Sequence, residues 1–260
     1  MDEQKLTLNK IRLSYARVKR DQDREDLWIY YVIRKISFYP TWLFLKIGIS
    51  ANQATFISII VGVIGCSFLA FGNYGTRIIG ALLVNFWIVL DCVDGNIARY
   101  KETLGNYGEF IDALSGYFLN AILFLSAGIA AFNHPELSFK FINQIFAGNL
   151  DRSILIISGA WASIVIILSR LIFHKFMNIF SGVQSSKIRS TVELRKGLSH
   201  IFYLVVRNTV SFSGFLTPIL LLAVIFRLLS MFVLLYALMN TVILIVTTHR
   251  IILKSRRVET

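Results

Sequence analysis

Two aspartates three residues apart, Asp91 and Asp94, close an otherwise apolar stretch, and Gly95, Ala98 and Arg99 follow them. Ionisable side chains inside a membrane-length apolar run are costly and mark function by default. On a helix, positions three, four and seven apart share a face. Asp91, Asp94, Gly95 and Ala98 therefore form one stripe, with two acids beside two positions that have almost no side chain. A helical glycine costs about 1 kcal/mol relative to alanine, which makes sense where a ligand must approach the backbone. Gly108, Asp112 and Gly116 form a second stripe at spacing four. The short stretch between the stripes implies antiparallel neighbouring helices, so Asp91, Asp94 and Asp112 are expected to converge. Three carboxylates in a partly desolvated place repel one another. A hard divalent cation relieves that repulsion, and all-oxygen ligation suits Mg²⁺ or Mn²⁺ with positions left for phosphate oxygens. Arg99 adds a fixed charge against a phosphate. Blander readings stand beside this one: a cation relay in a transporter, polar residues at a helix end, glycines serving only close packing. Taken singly each is the commoner case, and only the combined spacing favours chemistry.

The elements that must hold these residues are membrane helices. The chain has 260 residues, 55% hydrophobic and 16% charged, against about a quarter charged in a soluble domain. Six apolar spans are expected, near residues 54–72, 76–98, 107–132, 153–173, 209–226 and 229–248, each close to the about 20 residues that cross a bilayer. If both termini share one side, that side carries 23 of the 27 Lys and Arg and the other side four. The positive-inside rule then puts both termini in the cytoplasm. The net charge of +12 has the same explanation, so no nucleic-acid partner is expected. Cys66 and Cys92 lie in apolar segments and suggest neither a disulfide nor a zinc site. Residues 1–26 form a charged segment expected to be mobile, with no cleavable signal peptide. Residues 27–50 mix Trp28, Tyr30, Tyr31, Phe38, Tyr39 and Trp42 with Arg34, Lys35 and Lys46, as an interfacial helix does; Pro40 is expected to break it. Residues 51–252 form the all-α, six-helix membrane domain and 253–260 a basic cytoplasmic tail.

With these residues the chain resembles the CDP-alcohol phosphotransferase (CDP-alcohol phosphatidyltransferase) family, whose signature reads D-x2-D-G-x2-A-R-x8-G-x3-D-x3-D. Asp91, Asp94, Gly95, Ala98, Arg99, Gly108 and Asp112 match with the right gaps, seven of eight fixed positions. Gly48-Ile49-Ser50-Ala51-Asn52-Gln53-Ala54-Thr55 is similar to the family's approach to its first span, with Ala51 where proline is usual. The strong resemblance covers roughly residues 33–118. It implies six transmembrane helices in a multi-pass protein, of the bacterial inner membrane, with the site open to the cytoplasm. It further implies a CDP-linked alcohol or CDP-diacylglycerol donor, a lipid or phosphorylated acceptor, release of CMP, contact with membrane lipids and a homodimer. Asp91, Asp94 and Asp112 would ligate the metal, and Gly95, Ala98, Arg99 and Gly108 would border the nucleotide and its phosphates.

The eighth position is Gly116, where the family has the aspartate taken to be its general base. Three explanations stand. The acceptor is already an anion, such as a polyprenyl or lipid phosphate, and needs no base; a base is worth about 10²–10⁴ in rate only when a proton must be removed. Or another residue substitutes: Glu109, seven residues before Gly116 and so about two turns away on the same face, or less well Ser115. An acid in the first turn of a helix is, however, common for dipole reasons. Or the chain is a catalytically silent relative that binds CDP-linked lipid. An ion-coupled transporter, the reading from a different class, explains neither Gly95 and Ala98 nor the Arg99–Gly108 gap. Between spans four and five, Arg170, Lys175, Lys187, Arg189, Arg195, Lys196 and Arg207 make a basic stretch suited to anionic lipid heads or a phosphorylated acceptor, or to topology alone. Arg170 is the most suggestive, because it follows an unbroken apolar run.

Overall fold

The computed structural model describes residues 6–15, 17–134, 136–146, 148–193 and 198–259, with the side chains at 17–18, 137, 181–193, 198–202, 254 and 256–259 excepted. Among them there is no strand. Two short helices, α1 (Leu8–Leu13) and α2 (Arg17–Asp23), come first. A π-helical turn, Ile29–Ile33, then leads into α3 (Arg34–Lys46). The membrane helices α4 (Ala51–Phe71), α5 (Tyr74–Tyr100) and α6 (Asn106–Asn133) follow. Beyond them lie α7 (Leu137–Ile145), α8 (Ser153–Glu193), α9 (Leu198–Val210), α10 (Leu216–Ile225) and α11 (Leu229–Glu259). Five of these, α4, α5, α6, α8 and α11, are long and apolar enough to cross a membrane.

The boundaries follow from local chemistry. Gly48 ends α3 with a left-handed φ of 82°, which glycine adopts without strain. Ser50 then opens α4 with a capping box: its Oγ accepts from the Gln53 amide, and its own amide donates to Gln53 Oε1. At the other end Asn73 caps α5 by accepting from the Thr76 amide at 2.9 Å. Glu136 plays the same part for α11 from a distance, accepting from the Leu229 amide at 2.6 Å and the Ser230 amide at 3.3 Å.

Four sequence expectations change. First, the N-terminal segment is folded over residues 6–15 and 17–26. Ile11 and Tyr15 are buried on Phe38 of α3, and apolar burial of that kind offsets the entropy of ordering the chain. Second, Pro40 lies inside a continuous α3. The ring removes one backbone bond, and burial of Ser37, Phe38 and Thr41 holds the helix through it. Third, the expected fifth span is not one helix. It divides between α9 and α10 at Ser211–Phe215, where the Ser211 hydroxyl accepts from the Gly214 amide and the Phe215 amide returns to the Asn208 carbonyl. Fourth, α5 and α6 are not packed neighbours: α4 packs on both, α6 also packs on α8, and α8 on α11. Residues 101–105 join α5 to α6, and five residues extend to about 17 Å, farther than the roughly 8–10 Å between packed helices. The order of packing is set by small residues. A methyl on Gly80 of α5 would stand 2.7 Å from the Gly65 carbonyl of α4, and one on Gly128 of α6 would stand 2.6 Å from the Leu155 carbonyl of α8.

Of the expected basic stretch, Arg195 and Lys196 and the side chains of Lys187 and Arg189 lie outside the described residues.

Candidate active site

The C-terminal end of α5 and the N-terminal ends of α4 and α6 meet at one end of the bundle, and the motif residues lie there. Asp94 is buried between α5 and α4. Its Oδ2 accepts from the Thr55 hydroxyl at 2.5 Å and its Oδ1 from the Gly95 amide at 2.5 Å. Asp91 stands one turn deeper and half-buried, and the charges of Asp94, Asp112, Arg170 and Arg34 act on it. Asp112 rises from α6 across the gap left between α5 and α6. It is exposed, and the charges of Lys19, Arg170, Arg99 and Glu109 act on it.

The three aspartates share one electrostatic neighbourhood. Among the described residues, no three acidic, His or Cys side chains are gathered closely enough to hold an ion as they stand. Asp94 is instead turned to its own helix and to Thr55. The donor set is all oxygen, three carboxylates and a hydroxyl, and fits a hard divalent ion in kind.

Two arginines border the gap. Arg99 folds back over Gly95: a methyl on Gly95 would stand 3.1 Å from Nη2 and 3.3 Å from Nη1. The bare position expected to admit a ligand is thus covered by a guanidinium. Its Nη2 donates to Asn96 Oδ1 at 3.0 Å, while its buried Nε has no hydrogen-bond partner among the described residues. Arg170 comes from α8. Its Nη1 stands 3.2 Å from where a methyl on Gly116 would be, and the guanidinium lies 5.8 Å from the Tyr117 ring centroid. The position without its aspartate is therefore bordered by a cation whose charge reaches Asp91 and Asp112.

Other expected residues take lesser places. Gly108 is half-buried, its absent methyl 3.8 Å from Asn52 Oδ1. Ala98 is half-buried and Glu109 exposed in the first turn of α6. Ser115 is fully buried, and its hydroxyl has no hydrogen-bond partner among the described residues. Thr55 and Asn96 received no role from the sequence. Thr55 stood in the stretch before the first span, and Asn96 is a lone amide between Gly95 and Arg99; both signals were visible.

The fold and site define a polytopic all-α membrane protein with a motif-bearing acidic gap. The model of the CDP-alcohol phosphatidyltransferase family matches residues 49–245. The chain belongs to that family, whose members transfer a phosphoryl-linked alcohol from a CDP-alcohol to an acceptor. The match runs well past the residues 33–118 that carry the signature, through α8 and most of α11. No curated protein matches the chain.

Proposed function

We propose that this chain transfers a phosphoryl-linked alcohol from a CDP-linked donor to an acceptor whose reacting oxygen is already ionised, at the cytoplasmic face of a bacterial inner membrane. Mg²⁺ or Mn²⁺ would be held by Asp91, Asp94 and Asp112, the donor set that fits it. Bound there, the ion would neutralise the diphosphate and the charge spreading over the reacting phosphoryl group. Arg99 opposes the same charge from α5. The orientation rests on the Lys and Arg asymmetry of the sequence.

The observation that carries the acceptor reading is the pairing of Gly116 with Arg170. A general base at 116 would meet that guanidinium and form an ion pair, which lowers its basicity. A glycine there leaves Arg170 to face an anion. In the reaction, the acceptor oxygen bonds to the phosphorus that bears the alcohol, the bridge to the nucleotide breaks, and CMP leaves with the bridging oxygen. An ionised oxygen has no proton to lose, so an aspartate at 116 has no task.

The test is CMP release by the purified chain in lipid, given a CDP-alcohol donor and either a lipid phosphate or a lipid hydroxyl as acceptor. The phosphate is expected to react faster, by about tenfold or more. Faster reaction of the hydroxyl would contradict the acceptor reading. CDP binding without CMP release from either would favour the silent relative.

A further inference from the structure

The site is backed by a polar chain that starts outside the family match. Asp23, at the end of α2, is only 3% exposed and Arg34, at the start of α3, only 4%. The Arg34 Nε and Nη2 donate to Asp23 Oδ2 at 2.9 and 2.7 Å, and the Tyr15 hydroxyl donates to the same oxygen at 2.7 Å. Lys19 reaches the other oxygen at 3.3 Å. The remaining arm of Arg34, Nη1, donates to Asn96 Oδ1 at 3.0 Å, the oxygen that also accepts from Arg99. The Asn96 amide donates to Ser37 and Thr41 of α3, both at 3.1 Å. Those two hydroxyls fix which way the carboxamide points. Its oxygen therefore holds two guanidiniums at once.

Docking of the segment does not require this chain of polar contacts. The apolar cluster of Ile11, Tyr15 and Phe38 already covers α3, with Tyr100 of α5 packed against it. Arg207 binds Asp26 through Nε and Nη2, both at 2.9 Å, and Asn208 bonds the Leu27 amide, tying the segment to α9. A buried ion pair is also a weak source of stability, since apolar replacement is often neutral or better. What it does supply is geometry. Two like charges on one oxygen repel, and Asp23 neutralises the rear one. Arg99 is then gripped at Nη2, with both terminal nitrogens lying over Gly95 of the motif stripe.

We propose that Asp23 and Arg34 are positioning residues for the donor: acting through Asn96, they set the Arg99 guanidinium against the nucleotide diphosphate, so that the end of α2 and the start of α3 are part of the donor site. This rests on the CDP-linked donor proposed above. A donor diphosphate would meet an arginine already aimed, and the entropy of fixing that side chain would not be lost on binding.

The test is CDP binding to the full-length purified chain with Mn²⁺, in a double-mutant cycle of Arg34→Lys and Arg99→Lys. Lysine at 34 keeps the charge beside Asp23 but loses the fork that spans to Asn96. Arg34→Lys is expected to weaken CDP binding about tenfold, the worth of one charge-assisted hydrogen bond. The double variant should bind no worse than the weaker single one, because both act through one guanidinium. Tyr15→Phe keeps the ring and loses only the hydroxyl to Asp23, with about threefold weaker binding expected. If Arg34→Lys does not fold, Tyr15→Phe decides alone: weaker binding supports the proposal and unchanged binding overturns it. Wild-type affinity in both variants, or single effects that multiply in the double, overturns the proposal while the donor reading stands. No CDP binding by the wild type overturns both.

Discussion

At the scale of residues, the site depends on what holds each carboxylate before any ligand arrives. Asp94 is held by the Thr55 hydroxyl, and a partner behind a ligating group is typically worth about 10–100-fold in metal affinity. Thr55→Val keeps the shape and removes that donor, so Mn²⁺ binding followed by electron paramagnetic resonance should weaken by about that factor. Unchanged affinity would mean that Asp94 is not a ligand. Gly116 is tested by restoring what it lacks. A carboxylate in Gly116→Asp would lie beside Arg170 and pair with it, so turnover of a phosphate acceptor should fall about tenfold or more, with donor binding retained. A rise in that turnover would show that a base, and not a cation, was missing.

At the scale of elements, helical spacing carried the reading and its limits. Asp91, Asp94, Asp112 and Gly116 were legible because α5 and α6 repeat every three to four residues. Arg34 and Asn96 meet across 62 positions, and no period links them, so the polar chain behind Arg99 was not legible. The expected packing of α5 on α6 came from loop length alone. Close approaches that the sequence reading did not single out, Gly65 to Gly80 between α4 and α5 and Gly62 to Leu119 between α4 and α6, go with α4 packing on both, and a gap remains for the site. Pro40 misled for a similar reason: its ring was visible, and the burial that holds α3 through it was not. The N-terminal segment gives a test by pH. Burial raises the Asp23 carboxyl, but Arg34, Tyr15 and Lys19 outweigh it and hold the group below its ordinary value. A depressed carboxyl contributes its stability in full above the unfolded value, near 3.9, and loses it as pH falls through the folded value. The gap in Tm between wild type and Asp23→Asn should therefore be constant from about pH 5 to 7 and close below about pH 4. A gap that widens toward acid would contradict the ion pair.

At the scale of the whole molecule, five long helices and a broken sixth segment leave α5 and α6 unpacked against each other at the motif, with the N-terminal segment tied to both α5 and α9. Among the charges that act on Asp112, Lys19 comes from α2, Arg99 from α5, Arg170 from α8 and Glu109 from its own helix, α6. Such an arrangement concentrates opposite charges at one place, where a metal-bound diphosphate would complete the balance. The most direct measurement is CMP release from a CDP-alcohol by the reconstituted chain, with Mn²⁺ or Mg²⁺ added and then chelated, in wild type and in Asp94→Asn. The expected result is release that stops on chelation and falls about a hundredfold or more in the variant. Release that survives both chelation and Asp94→Asn would contradict a metal-holding carboxylate site.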